Sequence, residues 1–266
     1  MAMSLIAPSI GLFLNFKNLS LAGDALGHAL LPGVAMAYFI AGMTPLAIIF
    51  GGLFAGGLLL LLSRFLLLRN RSQHPHGDAN QNLAPLFMLS TGLGVLLISI
   101  KGNGTDLQHL MFGSVLTIDD STLGFQIFLS IAIGVTLWIF SKHFLQNIFD
   151  PEFFKDINPW GRWIDVILMS LVVLCLVCSF FVMGSLLALG IMIIPAAVSR
   201  LFCHSFKSMN LMAAVLALLA SYLGLLVSFH FDLPSGPSII VILGIFYILS
   251  HLLIRQDFLT SSETKA

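Results

Sequence analysis

From Ala25 to Ser63 the chain carries no Asp, Glu, Lys or Arg, and a second such stretch runs from Val166 to Ser199. A helix crosses the hydrocarbon core of a bilayer with about 20 apolar residues, at most about 25. Each stretch is therefore too long for one crossing and has to double back. Gly42-Met43-Thr44-Pro45 supplies a turn in the first, and Gly184-Ser185 supplies one in the second. Charged residues make up 9% of the 266 residues and hydrophobic ones 58%, whereas soluble domains carry about 25% charged residues. The chain reads as one all-α transmembrane domain over residues 1–266, a polytopic helical bundle.

Spans are expected near 3–16, 24–41, 45–63, 83–100, 122–141, 164–182, 186–200, 209–229 and 237–254, some eight or nine crossings. The first and seventh are short. The seventh also contains Pro195, so a half-helix or a broken helix is expected there. Cytoplasmic loops of membrane proteins are enriched in Lys and Arg. With Arg64, Arg69 and Arg71 placed inside, alternation puts every basic residue inside except Lys101, one of 12. The C-terminus then lies inside and the N-terminus outside. The opening residues lack the basic n-region of a signal peptide. A formal net charge of zero gives no general attraction to nucleic acid. Cys175, Cys178 and Cys203 are too few, and too deep in apolar sequence, for a disulfide framework.

Asp24 and His28 stand four residues apart within S-L-A-G-D-A-L-G-H-A-L-L-P-G, and on a helix that spacing puts them on one face. An Asp at the bilayer centre costs about 2.5–3.5 kcal/mol on insertion scales, and such residues mark ion or substrate paths. Helix capping accounts for Asp24 alone. It does not account for His28, one turn deeper. Carboxylate and neutral imidazole are ligands for first-row divalent metals, and a transporter needs a weak, open site with few ligands. The outer segments add Asp106, His109, Asp119 and Asp120, then His230 and Asp232, with few basic residues among them. Taken singly these are ordinary loop residues. As a set they form an acidic, imidazole-bearing mouth that concentrates a divalent cation.

The cytoplasmic segment Phe149–Trp160 reads F-D-P-E-F-F-K-D-I-N-P-W. Asp150 suits an N-cap, Pro151 the first helical position, and Glu152 the positive end of the helix. Phe153, Phe154 and Ile157 give the short helix an apolar face. Such a face either docks into a partner's groove or lies on the membrane surface. His74 and His76, in the loop 71–78, read as solvated, and Cys175 with Cys178 as small packing residues. Gly51, Gly52, Ala55, Gly56 and Gly57 allow close helix contact. No G-x-x-x-x-G-K-[ST], H-E-x-x-H or G-x-S-x-G pattern occurs. If ATP drives transport, the ATPase is another chain.

On these residues the chain resembles the permease subunit of bacterial ABC importers for zinc, manganese and iron. The likeness rests on Leu19–Ala35 with Asp24, His28 and Gly33, on D-L-Q-H-L-M-F-G-S-V-L-T-I at 106–118, and on D-P-E-F at 150–153. It rests also on G-S-L-L-A-L-G-I-M-I-I-P-A-A-V-S-R at 184–200 and F-D-L-P-S-G-P-S-I at 231–239. The resemblance implies a permease similar to the type II importers, in the bacterial cytoplasmic membrane, working as a homodimer with the path on its axis. It implies an ABC ATPase subunit docked on the cytoplasmic face and a periplasmic or lipid-anchored metal-binding protein outside. It makes 150–158 the coupling helix, with Asp150, Pro151, Glu152, Phe153, Phe154 and Asn158 in contact with or supporting the ATPase. Relatives commonly have Ala and Gly where this chain has Phe154 and Asn158.

Asp24 and His28 are thus the expected pathway ligands, with Asp106, His109, His230 and Asp232 at the outer mouth. No cofactor is expected to stay bound. The metal is cargo, and the chain is not itself an enzyme. Imidazole favours zinc over manganese while carboxylate suits both, so zinc is the expected cargo, with manganese and iron as alternatives. The competing readings are a proton-coupled carrier using the same pair and an intramembrane metalloenzyme. The second has no general base at a suitable spacing.

Overall fold

The computed structural model describes residues 2–17, 19, 23, 26–27, 29–42, 44–70, 79–101, 120–158, 161 and 163–263. Among them the elements are helices: α1 Ala2–Phe16, α2 Leu31–Ala41, α3 Pro45–Asn70, α4 Ala79–Lys101, α5 Asp120–Phe149, α6 Pro151–Ile157, α7 Ile164–Phe202, α8 Phe206–Phe231 and α9 Ser235–Glu263. The expected turn at Gly42 is present, closed by its N–H donating to the Tyr38 carbonyl at 2.9 Å. Helical bonds from Leu30 to Leu26 and from Val34 to Leu30 carry α2 back towards Gly23.

α7 is the axle of the bundle. Unbroken, it would separate Asp165 from Arg200 by roughly 50 Å at 1.5 Å per residue. Yet Asp165 pairs with Lys17, and Arg200 Nη1 donates to the carbonyl of Asn15 at 2.8 Å. Both ends of α7 therefore meet the same end of α1, and the chain reverses at Gly184, whose φ of 78° and ψ of 163° lie outside the helical region. That combination is essentially confined to glycine. The reversal is the expected one. The break expected at Pro195 is not found: the backbone stays helical through it, and the interruption falls at Gly184 instead. Glycine there supplies the non-helical torsions that proline, with φ fixed near helical values, does not.

α1 packs along α7, α8 and α5, and the first arm of α7 packs on α3. Its residues from Leu171 to Cys178 are almost all buried, Cys175 and Cys178 among them, as packing residues. α8 runs antiparallel to α1. Ser4 and Ser221 share a hydrogen bond at 2.9 Å, Ser9 donates to Asn210 at 2.6 Å, and the rings of Phe13 and Phe206 lie 5.0 Å apart. Interhelical hydrogen bonds of this kind hold helices where lipid is as apolar as the side chains. The outward faces carry Phe54, Phe128, Trp138, Tyr222 and Ile248, as a bilayer requires. This arrangement puts Asn15, Lys17, Phe149, Asp165 and Arg200 at one end, the cytoplasmic end by charge, and His230 at the other.

Candidate functional site

The end of α5 and the whole of α6 form an elbow below the bundle. The N–H of Asp150 donates to Gln146 at 3.0 Å, closing α5. The Asp150 carboxylate then accepts from the N–H of Phe153 at 3.0 Å, capping α6, with Pro151 in its first turn. Asn158, in an extended conformation, stops the helix and donates its N–H to Phe154 at 3.0 Å. The apolar residues of α6 divide between two faces. Phe153 and Ile157 are 64% and 67% exposed, whereas Phe154 is only 5% exposed. Phe154 turns inward, edge-on to His143 at 6.1 Å. Of the expected docking face, Phe154 is thus the buried member: it lines the groove while anchoring the elbow to α5. The face gains Phe149, 78% exposed. Phe149, Phe153, Phe154 and Ile157, with Leu145, Gln146, Asp150 and Asn158, line an open groove of about 480 Å³. Phe149 opens the cytoplasmic segment read from the sequence but precedes the short helix, so it is not counted in its apolar face, and Gln146 lies before that segment.

Of the expected metal ligands, Asp24, His28, Asp106 and His109 lie outside the described residues, as do His74, His76 and Asp119. The frame around the first pair is described. Gly23 packs against Leu14, Met192 and Ile193, and Gly27 packs against Leu189. Gly23 and Gly27 therefore lie along the second arm of α7. His230 and Asp232 are exposed at the opposite end. Asp232 ends α8 in the left-handed region with φ of 51°, which Asp tolerates better than most residues. Its N–H and that of Leu233 both reach the Ser228 carbonyl, and Ser228 Oγ donates to Leu233 at 2.7 Å. His230 and Asp232 share this turn. Among the described residues no three His, Cys, Asp or Glu side chains converge on one point.

A second polar cluster joins the elbow to the bundle. Asp165, in the first turn of α7, accepts from Lys17 and, at 2.7 Å, from Nδ2 of Asn147. Arg200 stacks over Phe16, 4.9 Å from its ring centre, while it holds the Asn15 carbonyl. The sequence signal for this cluster was available: single polar residues at the inner edges of apolar runs. Only the fold brings them together.

A bundle of doubled-back apolar helices, with a capped short helix presenting an apolar groove at its cationic end, defines a multi-pass membrane permease. The chain belongs to the ABC 3 transport family, whose profile matches residues 1–254. It is 29% identical to the manganese import system permease protein ScaB of Streptococcus gordonii, over 92% of this chain and 85% of that one. It is 28% identical to the manganese transport system membrane protein MntC of Listeria innocua, over 98% and 90%. The chelated iron transport system membrane protein YfeD of Yersinia pestis is 27% identical over 90% and 77%. Among solved structures, PsaBC from Streptococcus pneumoniae in complex with Fab superimposes with a TM-score of 0.81 at 28% identity, covering 94% of this chain and 87% of that one.

Proposed function

We propose that this chain is the permease subunit of an ABC importer that carries a divalent metal ion, manganese first among candidates, into the bacterial cytoplasm. The observation that carries this reading is the α5–α6 elbow, a capped helix whose exposed Phe149, Phe153 and Ile157 flank a groove on the cytoplasmic face of a permease of this family. A self-sufficient carrier has no use for such a face, so a separate ATPase subunit is its occupant. Asp24 and His28 are the pathway ligands, while His230 and Asp232, with Asp106 and His109, attract the cation at the outer mouth. A metal-binding protein delivers the ion there, and two copies of the chain form the path between them.

Softness of the imidazole favours zinc. The names of the relatives favour manganese, with iron in the Yersinia protein. Carboxylate oxygen and imidazole nitrogen both accept all of these metals, so the relatives are the support for placing manganese first. The test is uptake by proteoliposomes holding this chain, its ATPase and its binding protein, with manganese and zinc in competition. Strictly ATP-dependent uptake with manganese preferred is expected. Uptake by the chain alone would make it a proton-coupled carrier.

A further inference from the structure

We infer that Asp165 is a positioning residue that transmits movement of α6 to the segment carrying Asp24 and His28; this rests on the reading of α6 as the ATPase contact. The elbow moves as one piece, because Asp150 both closes α5 and caps α6, and buried Phe154 fastens α6 against His143 of α5. Asn147, 3% exposed and one turn above the elbow, passes that piece's position to Asp165 through its Nδ2. Asp165 in turn holds Lys17 at the end of α1. From Lys17 the chain runs directly into the pathway segment, tied back by the Leu19 N–H to Leu14 at 2.8 Å and the Gly23 N–H to Leu19 at 3.0 Å. Three side chains, Asn147, Asp165 and Lys17, thus join the elbow to the end of α1 that leads into the pathway segment.

The Lys17–Asp165 pair is partly solvated, with side chains 17% and 46% exposed, so its contribution to stability is small. Its value lies in direction: Asp165 is shared by α1 and α5, and neither can shift without the other or without breaking it.

The experiment measures metal ions imported per ATP hydrolysed, together with the thermal midpoint, for the full complex in proteoliposomes carrying Asp165→Asn, Asn147→Ala, and the exchange Lys17→Asp with Asp165→Lys. The expected result is an assembled Asp165→Asn complex that hydrolyses ATP at the unaltered rate but imports roughly 2- to 30-fold less metal per ATP, the span of coupling changes along connected networks. Asn147→Ala lowers the ratio in the same direction, and the charge exchange restores part of it. An unaltered ratio in Asp165→Asn overturns the proposal. So does a loss of transport that merely follows lost thermal stability and lost ATP hydrolysis. Failure of the docking reading shows separately: Phe153→Ala would then bind and stimulate the ATPase normally, and a relay without that input falls with it.

Discussion

Gly33 and Gly51 meet face to face where α2 crosses α3, so close that a Cβ on either would overlap the carbonyl oxygen of the other. Ala37 and Ala55 stand one turn further along each helix, against the same partners. Small residues four apart let helix backbones approach in lipid, where packing rather than water exclusion drives association. Gly33→Val forces the helices apart, an overpacking cost of about 1–3 kcal/mol. Gly57, also on α3, has open space where its Cβ would stand, and Gly57→Ala gains up to about 1 kcal/mol of helix propensity. Thermal unfolding in detergent should lower the midpoint for Gly33→Val and hold or raise it for Gly57→Ala. Equal midpoints would refute this account of the crossing.

Gly184 carries the α7 reversal at φ of 78° and ψ of 163°, a region that costs other residues about 1–3 kcal/mol. Gly184→Ala is expected to lose that much stability although alanine is the better helix former. The failure should concentrate at the α7 ends, since Asp165 and Arg200 reach α1 together only if the chain doubles back. Cysteines placed at Asn15 and Arg200 and cross-linked in membranes would report this directly. Undiminished cross-linking in Gly184→Ala would show that the reversal does not depend on glycine.

The spans and both reversals were legible because charge-free runs longer than a bilayer leave few alternatives. Pro195 misled because it breaks a helix only where the freed carbonyl and the ring find no room, and here the turn at Gly184 had already supplied the bend. Phe154 misled for a different reason. In a seven-residue helix, adjacent phenylalanines lie about 100° apart, so one can stand exposed while the other is buried against α5, and composition does not say which. Lys17, Asn147 and Asp165 are far apart in sequence, and nothing short of the fold pairs them.

Phe153 and Phe154 should therefore separate function from stability. Phe154→Ala empties a buried site and is expected to lower stability by about 3 kcal/mol, near the low end for Phe-to-Ala truncation. Phe153→Ala removes a mostly exposed ring and should leave the midpoint unchanged while weakening ATPase association. Asp150→Ala, which removes the cap, falls between them at about 0.5–2 kcal/mol, with faster hydrogen exchange at the Phe153 amide. Co-purification of the ATPase and thermal scanning on the same samples distinguish the three. A Phe153→Ala complex that assembles with full strength would move the docking surface elsewhere.

The two groups of metal-binding candidates should fail in different ways. On the proposal that Asp24 and His28 hold the ion in transit, Asp24→Ala or His28→Ala abolishes uptake while the complex still assembles. His230 and Asp232 are exposed at the far end of α8, where a carboxylate acts by raising the local cation concentration. Asp232→Asn is the informative change there, because Asn keeps the left-handed backbone comfortable and removes only the charge. It should raise the half-saturating metal concentration without lowering the maximal rate, and the difference should shrink as salt is raised, since exposed charges are screened over about 10 Å at 0.1 M. Uptake measured against metal concentration at two ionic strengths separates the cases. If Asp24→Ala behaved as Asp232→Asn does, the pair would belong to the mouth and the path would need other ligands.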